Sequence, residues 1–428
     1  MRVLHLSTWK ERCGIADFTA SVVEGLTKSG VENEVVPLDA SALCCATSGE
    51  FLAEMDRFAQ KAAGFDLTHV QHEFSLFTGS GGVFETISHF AHLLGALKAT
   101  GRPAAVTFHS AAALHSMLPP PHVDRHLLTS GGLAAFAQWF FRKARLKRVA
   151  QKLDTLWRKR IARFFDGRPG SFRALVHTPR ARMDLIHSGF APEGVSVVPL
   201  GYQMRGPEFF RLSRADARAK LAIPADATLL TIFGFIAEYK GHVLAVEALK
   251  KLPAGFRLAI IGAPHPGNAI DQTLNEVLKA WDGEDPERLT VTGYVPHETV
   301  DLYHAAGDIC VAPFLMGNPT ASASLTWALT SGKPTVASNI PAFADIHRAA
   351  NCLALFTPNC AHELAWQIRR LSGDAALKEQ LARNGLAFAE ANSWERVTAR
   401  LLDIYQELTG LSGQGIALHL ALPLFRAA

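Results

Sequence analysis

Short runs of β-branched and apolar residues alternate along the chain with longer stretches whose apolar positions recur every three or four residues. This is the pattern of βαβ units built around parallel sheets. In the first half, strands are predicted at Arg2–Thr8, Glu34–Leu38, Leu67–Glu73, Ala104–His109, Phe172–Thr178 and Val195–Leu200. Helices are predicted near residues 15–29, 51–62, 83–98 and 179–188. The alternation pauses at Pro199–Tyr202 and restarts, with strands at Thr228–Phe235, Arg257–Gly262, Leu289–Gly293, Ile309–Pro313, Thr335–Ser338 and Leu353–Phe356. Helices near 241–251, 268–281, 298–305, 322–331, 361–371 and 374–390 separate these strands. Each half therefore predicts one doubly wound α/β domain, with a ligand expected in a cleft at the carboxyl ends of the strands.

One segment breaks the alternation, an insertion over residues 116–168. Its stretch Arg142–Arg163 carries ten basic residues and one acid, with Leu146, Val149, Leu153, Trp157, Ile161 and Phe164 at helical spacing. Trp139, Phe140 and Phe141 precede it and Phe165 follows. A basic amphipathic helix with aromatic anchors suits an anionic membrane surface, Arg158, Lys159, Arg160 and Arg163 being its candidate contacts. The same spacing also serves a helix whose apolar stripe packs on its own sheet.

Composition narrows the class. The 428 residues are 48% apolar and 19% charged, an ordinary core-forming composition for two domains. A net charge of +4 is too small to argue for nucleic acid. The +4 is also an average over unlike parts, +9 in Arg142–Arg163 (10 − 1) and −5 elsewhere (33 − 38). Six cysteines without repeated spacing argue against a disulfide framework or a zinc site, and for a reducing compartment. No secretory signal and no run of 18 apolar residues is visible, so a cytoplasmic protein, or one on the inner face of the membrane, is expected.

The candidate chemistry lies where strands end. Gly14 precedes the first helix, so a phosphate or sugar could approach its backbone. His72 and Glu73 close the third strand and His109 the fourth, each placed at a substrate-facing rim. In the second half FGFIAEYKGH places Gly234 after a strand and Lys240 beside a helix start, a natural phosphate grip. Further on, Gly317, Asn318, Thr320, Ser322 and Ser324 precede a helix containing Trp327, offering amides and hydroxyls to an anion or a sugar. A nicotinamide-dependent dehydrogenase is disfavoured, because neither half opens with G-x-G-x-x-G and a following acid.

Taken in order, CGIADFT, QHEF, VTFH, VHTPRARMDLIHSGF, VSVVPLGYQ, FGFIAEYKGH, GYVPHETVDLYHAAGDICVAPF and GKPTVASNIPAF resemble glycosyltransferase family 4. The resemblance runs from Met1 to about Leu408, and Ser393–Leu408 is similar to the family's closing helix. It implies a GT-B fold, in which two Rossmann-like domains face each other across a cleft. An acceptor domain over 1–200 would precede a nucleotide-sugar domain over 201–392. The crossing helix over 393–410 and a tail over 411–428 would follow. It also implies a retaining, metal-independent enzyme that needs no cofactor and takes its sugar from a nucleotide-diphosphate donor. Gly14 would then lie against the donor, and His109 would hydrogen-bond the transferring sugar. Lys240 would pair with the diphosphate, and Tyr294 and Val295 would line the base pocket.

The chain departs from the family in two places. Phe235 and Ala237 stand in the loop where an arginine is usual, a gap that Arg205 or the insertion could fill. The family's two glutamates fall on Pro319 and Trp327. Either Thr320, Ser322, Ser324 and backbone amides hold the donor instead, or the protein is a non-catalytic scaffold of an envelope-assembly complex. The expected partners are a nucleotide sugar, a cell-envelope polysaccharide or lipid-linked acceptor, and an anionic membrane surface, with no nucleic acid.

Overall fold

The structure is a computed structural model and describes residues 1–11, 13–39, 43, 46–80, 83–110, 147–168, 170–264, 272–315 and 321–411. Its chain divides into two compact units. The first comprises Met1–Pro199 and the last helix from Thr398 onward, and the second most of Leu200–Val397.

The first unit is a six-stranded parallel sheet of β1 (Arg2–Ser7), β2 (Glu32–Pro37), β3 (Leu67–His72), β4 (Ala104–Phe108), β5 (Arg173–Val176) and β6 (Val195–Val197). Its spatial order is β2-β1-β3-β4-β5-β6. Successive side chains of a strand point to opposite faces, and here the two faces differ in kind. Leu4, Leu6, Val70, Val106, Phe108, Ala174 and Val176 face one core, covered by helices Ser48–Ala62 and Val83–Ala99. The alternate positions His5, Ser7, His69, Gln71, Thr107 and Leu175 form a second face, all of them buried. The first helix, Gly14–Lys28, reaches this face through Thr19, whose hydroxyl lies 2.7 Å from that of Ser7. The last helix, Trp394–Thr409, reaches it through Tyr405. Gly25 permits that docking, since a Cβ there would strike the Thr398 side chain.

Where it is described, the apolar stripe of the expected membrane helix faces the protein's own core. Residues 147–160 are helical, but Leu153, Trp157 and Ile161 are buried in the core of the first unit, with Phe164 and Phe165 beyond them. Trp157 packs among His72, Phe74, Phe90, Phe108 and Phe190. Burying that stripe removes roughly several hundred Å² of apolar surface from water, and the core accounts for its spacing. Trp139, Phe140, Phe141 and Leu146 lie outside the described residues. The basic positions Arg158, Lys159, Arg160 and Arg163 are exposed, although Arg158 donates to the His187 carbonyl and Arg160 to Ser88 Oγ.

The second unit carries β7 (Thr228–Phe233), β8 (Phe256–Ile261), β9 (Leu289–Val291), β10 (Ile309–Ala312), β11 (Thr335–Ser338) and β12 (Leu353–Phe356). They are parallel in the order β12-β11-β10-β7-β8-β9. Connections leave β7 in one direction and β10 in the other, so the chain's winding reverses between these two neighbours. That reversal is the crevice at which doubly wound sheets bind ligands. Helices Pro207–Arg211, Arg214–Lys220 and Pro341–Ala350 had no counterpart in the pattern reading. Among the described residues, no helix is long and apolar enough to cross a membrane.

Candidate functional site

In the second unit a pocket opens at the β7/β10 reversal, lined by Thr231, Phe233, Lys240, His304, Cys310 and Ser324 among others. Gly234 ends β7 at φ +115°, a conformation that favours glycine. A Cβ at Gly234 would come within 2.6 Å of Ser324 Oγ and 2.7 Å of Lys240 Nζ. The glycine therefore makes the space into which the other two converge. Lys240 Nζ donates to Ser324 Oγ at 3.2 Å. Lys240 is buried, and that burial pulls its pKa from 10.5 down to about 8. Among the described residues one hydroxyl holds this desolvated ammonium, an arrangement that an anion would complete.

Ser324 stands in the first turn of helix Ala323–Thr330, whose N-cap Ser322 accepts from the Leu325 amide. Ser322 thus caps its own helix. Val295 packs against the apolar cluster around Phe209 and Val300, while the Tyr294 ring is 57% exposed. Thr320 and Pro319 lie outside the described residues.

Trp327 occupies the place of the second expected glutamate. The Arg205 guanidinium lies 3.9 Å from the centroid of its ring, and Phe233 and His297 pack against that ring at 4.7 and 5.0 Å. Arg205 is ion-paired to Asp301, its side chain is 8% exposed, and its Nε and Nη2 are buried with no hydrogen-bond partner among the described residues. Burial lowers the pKa of Arg205 and Asp301 opposes the shift. A guanidinium keeps its charge under such a shift, so two charged donors remain unspent here.

The first unit places its polar groups on the face opposite the aromatic core. His109 follows β4 directly, and both of its ring nitrogens have protein neighbours. Its Nε2 lies 2.9 Å from Gln71 Oε1, and its Nδ1 lies 3.4 Å from His177 Nε2. Phe18 of the first helix presses edgewise on His109 and His177, at 5.1 and 5.4 Å between centroids. Burial holds His109 well below the ordinary histidine pKa, the neighbouring histidines adding to the shift, so the ring is neutral at pH 7. Glu73 accepts from Ser110 Oγ and from the Phe74 amide, and burial raises its pKa. Gly14 is exposed, with open space where a Cβ would be.

His72 does not reach the rim. Expected at a substrate-facing rim, it is wholly buried on the aromatic face, 4.3 Å from Phe90, 4.9 Å from Phe108 and stacked on Phe77. Burial depresses its pKa to about 3. Strand parity is the reason. Residue 72 shares a face with Val70 and not with Gln71, and this could have been read from the alternation in LTHVQH. His69, His177 and Tyr405 were not singled out as candidates, yet they surround His109's neighbours. Among the described residues, no group of three or more His, Cys, Asp or Glu side chains could hold a metal ion.

Against this geometry the chain's likenesses can be set. Residues 213–388, most of the second unit, match the family of glycosyl transferases group 1. A D-inositol 3-phosphate glycosyltransferase of Saccharomonospora viridis is 30% identical over 54% of this chain and 54% of its own length. One from Streptomyces bingchenggensis is 25% identical over 55% and 52%. The chain thus spans about half the length of the curated relatives it matches. Over nearly the whole chain its fold is like that of Anabaena Alr3699/HepE, solved in complex with UDP-glucose. The TM-score is 0.67 at 15% identity, over 95% of this chain and 100% of that one. The sucrose-phosphate synthase of Thermosynechococcus elongatus gives a TM-score of 0.69 at 17% identity, over 96% and 100%. These likenesses fix the fold class as GT-B, an α/β architecture of two Rossmann-like domains.

Proposed function

We propose that this protein is a retaining glycosyltransferase that moves a sugar from a nucleotide-diphosphate donor to a cell-envelope polysaccharide or lipid-linked acceptor. The observation that carries this reading is the convergence of Gly234, Lys240 and Ser324 at the β7/β10 reversal, inside the segment that matches the glycosyl transferases. Lys240 would pair with the diphosphate and stabilise the charge that grows as the leaving group departs. Arg205, with two unspent donors, would stand in for the arginine missing at Phe235 and Ala237. Ser322, Ser324 and Thr320 with nearby amides, Tyr294 and Val295 at the base, and Gly14 against the donor would complete the site.

In the first unit His109 would hydrogen-bond the transferring sugar, with Glu73 at the acceptor side. The sugar would dissociate towards an oxocarbenium-like state. The leaving phosphate oxygen would then take the acceptor's proton on the same face, so neither a protein nucleophile nor a metal ion is needed. The exposed basic positions Arg158, Lys159, Arg160 and Arg163 would bring the enzyme to an anionic membrane surface.

Calorimetry with UDP, UDP-glucose and other nucleotide sugars tests the donor. An acceptor panel that includes inositol phosphate, after the names of the relatives, tests transfer. Saturable binding weakened 10- to 100-fold by Lys240→Met, with product of unchanged anomeric configuration, is expected. A protein that binds no nucleotide sugar would fit the second reading, a non-catalytic scaffold, which Trp327 in place of a glutamate favours.

A further inference from the structure

A line of hydrogen-bonding groups runs through the polar face of the first sheet and ends at His109. Tyr405 Oη lies 2.6 Å from His69 Nδ1. His69 Nε2 lies 2.8 Å from Thr107 Oγ1 and 3.2 Å from Gln71 Nε2. The other end of the Gln71 amide lies 2.9 Å from His109 Nε2. His109 Nδ1 faces His177 Nε2 at 3.4 Å, and His177 Nδ1 lies 3.0 Å from the Val198 carbonyl oxygen. Burial depresses all three histidines, His177 to about 4, so at neutral pH each ring carries a single proton.

With one proton per ring, the order of the protons follows from the chain's end. A carbonyl oxygen only accepts, so His177 Nδ1 must donate to Val198. Its Nε2 is then a lone pair, which can only accept from His109 Nδ1–H. That leaves His109 Nε2 as a lone pair needing a donor. Gln71 supplies one when its terminal amide makes a half-turn that brings its nitrogen towards His109. The amide oxygen then receives His69 Nε2–H, and His69 Nδ1 accepts from the Tyr405 hydroxyl. In this order His69 Nε2–H is shared between the Gln71 oxygen and Thr107 Oγ1, and the contact that selects the order is the one between His109 and His177. With the amide oxygen towards His109, two lone pairs would confront each other between His109 and His177.

We propose that Tyr405, His69, Gln71 and His177 are positioning residues that hold His109 with its proton on Nδ1. A ligand oxygen that displaces His177, the longest contact in the line, then meets a hydrogen-bond donor. His109 is thereby a donor to a ligand acceptor atom and not a base. Identifying that atom as a sugar hydroxyl oxygen rests on the transferase reading above. The proton order does not.

The test is a long-range proton–nitrogen correlation spectrum of the full chain labelled with ¹⁵N-histidine, with His109 and His177 assigned through His109→Asn and His177→Asn. His109 is expected protonated on Nδ1 with an acceptor-type Nε2. Finding the proton on Nε2 in the wild-type protein would overturn the proposal. Gln71→Glu offers only acceptor oxygens and is expected to pull the proton to His109 Nε2. Tyr405→Phe removes the donor onto His69 and is expected to shift His69 and to mix the two His109 tautomers. A His109 tautomer unmoved by both, in variants with wild-type thermal unfolding, would also overturn it. In sugar transfer, Gln71→Glu is expected to lower kcat about tenfold at unchanged KM for the nucleotide sugar. Failure to bind any nucleotide sugar while the predicted proton order is observed would remove the transferase reading and leave the relay standing.

Discussion

Lys240 Nζ and Ser324 Oγ stand 3.2 Å apart across a space that exists because residue 234 has no side chain. Gly234→Ala would therefore strain the φ of +115° and drive a methyl into both groups. It is expected to abolish nucleotide binding in calorimetry. Lys240→Met keeps the aliphatic stem and removes the charge. Its affinity for UDP should fall 10- to 100-fold, the scale of about 1.5–3 kcal/mol for a hydrogen bond to a charged group. Its unfolding temperature should hold or rise, because a desolvated ammonium is no longer buried.

The same lysine makes binding depend on pH. In the folded protein it titrates near 8 and in the unfolded chain near 10.5. Between those values the unfolded chain holds more protons, so this group adds stability as pH rises and its burial cost is complete below pH 8. An anion requires the ammonium. Affinity for UDP is expected to be level up to about pH 8 and to weaken above it, and the decline should vanish in Lys240→Met. A decline that persists in that variant would place the titrating group elsewhere.

His72 carries a second pH effect with a different window. Its pKa is about 3 in the folded protein and 6.5 in the unfolded chain, so stability is lost as pH falls from about 6.5. Among the described residues neither ring nitrogen has a side-chain partner. His72→Phe should remove two desolvated polar atoms from an aromatic cluster, stabilise by about 1–2 kcal/mol at pH 5, and gain less at pH 8. Urea unfolding at the two pH values measures this.

Arg205 lies over the Trp327 ring and pairs with Asp301, and among the described residues its Nε and Nη2 have no hydrogen-bond partner. Arg205→Gln should weaken UDP binding about tenfold if those donors serve the diphosphate. Arg205→Lys should not rescue it, since a lysine lacks the planar fork. Equal affinity in all three proteins would confine Arg205 to a structural role.

The basic helix separates packing from charge. Trp157→Ala should cost about 3–5 kcal/mol, since the ring lies in the aromatic core. Replacing Arg158, Lys159, Arg160 and Arg163 together by glutamine should barely change stability, yet should release the protein from anionic vesicles in a sedimentation assay. Binding by the wild-type protein should also weaken with salt, because it draws on exposed basic side chains. Unchanged sedimentation of the glutamine variant would count against a membrane surface.

The alternation of short apolar runs and amphipathic stretches determined the order of the elements. The strand Leu353–Phe356 fell where the pattern put it, because a β-strand buried on both faces tends to read as a continuous apolar run. Helix Pro341–Ala350 escaped because its start, IPAF, reads as the turn after β11. Glycine and lysine spacing likewise pointed to Gly234 and Lys240, because a βα turn brings residues close in sequence to one sheet edge. Tertiary structure decided what depends on distant partners. It buried the Trp157 stripe in the protein's own core, and it gave Trp327 an arginine 122 positions away in sequence (327 − 205) as its neighbour. It brought Tyr405 against His69, 336 positions away in sequence. Periodicity reports which residues are apolar and in what rhythm. Which surface covers each face is set by the sheet's order and by the helix that returns from the far end of the chain.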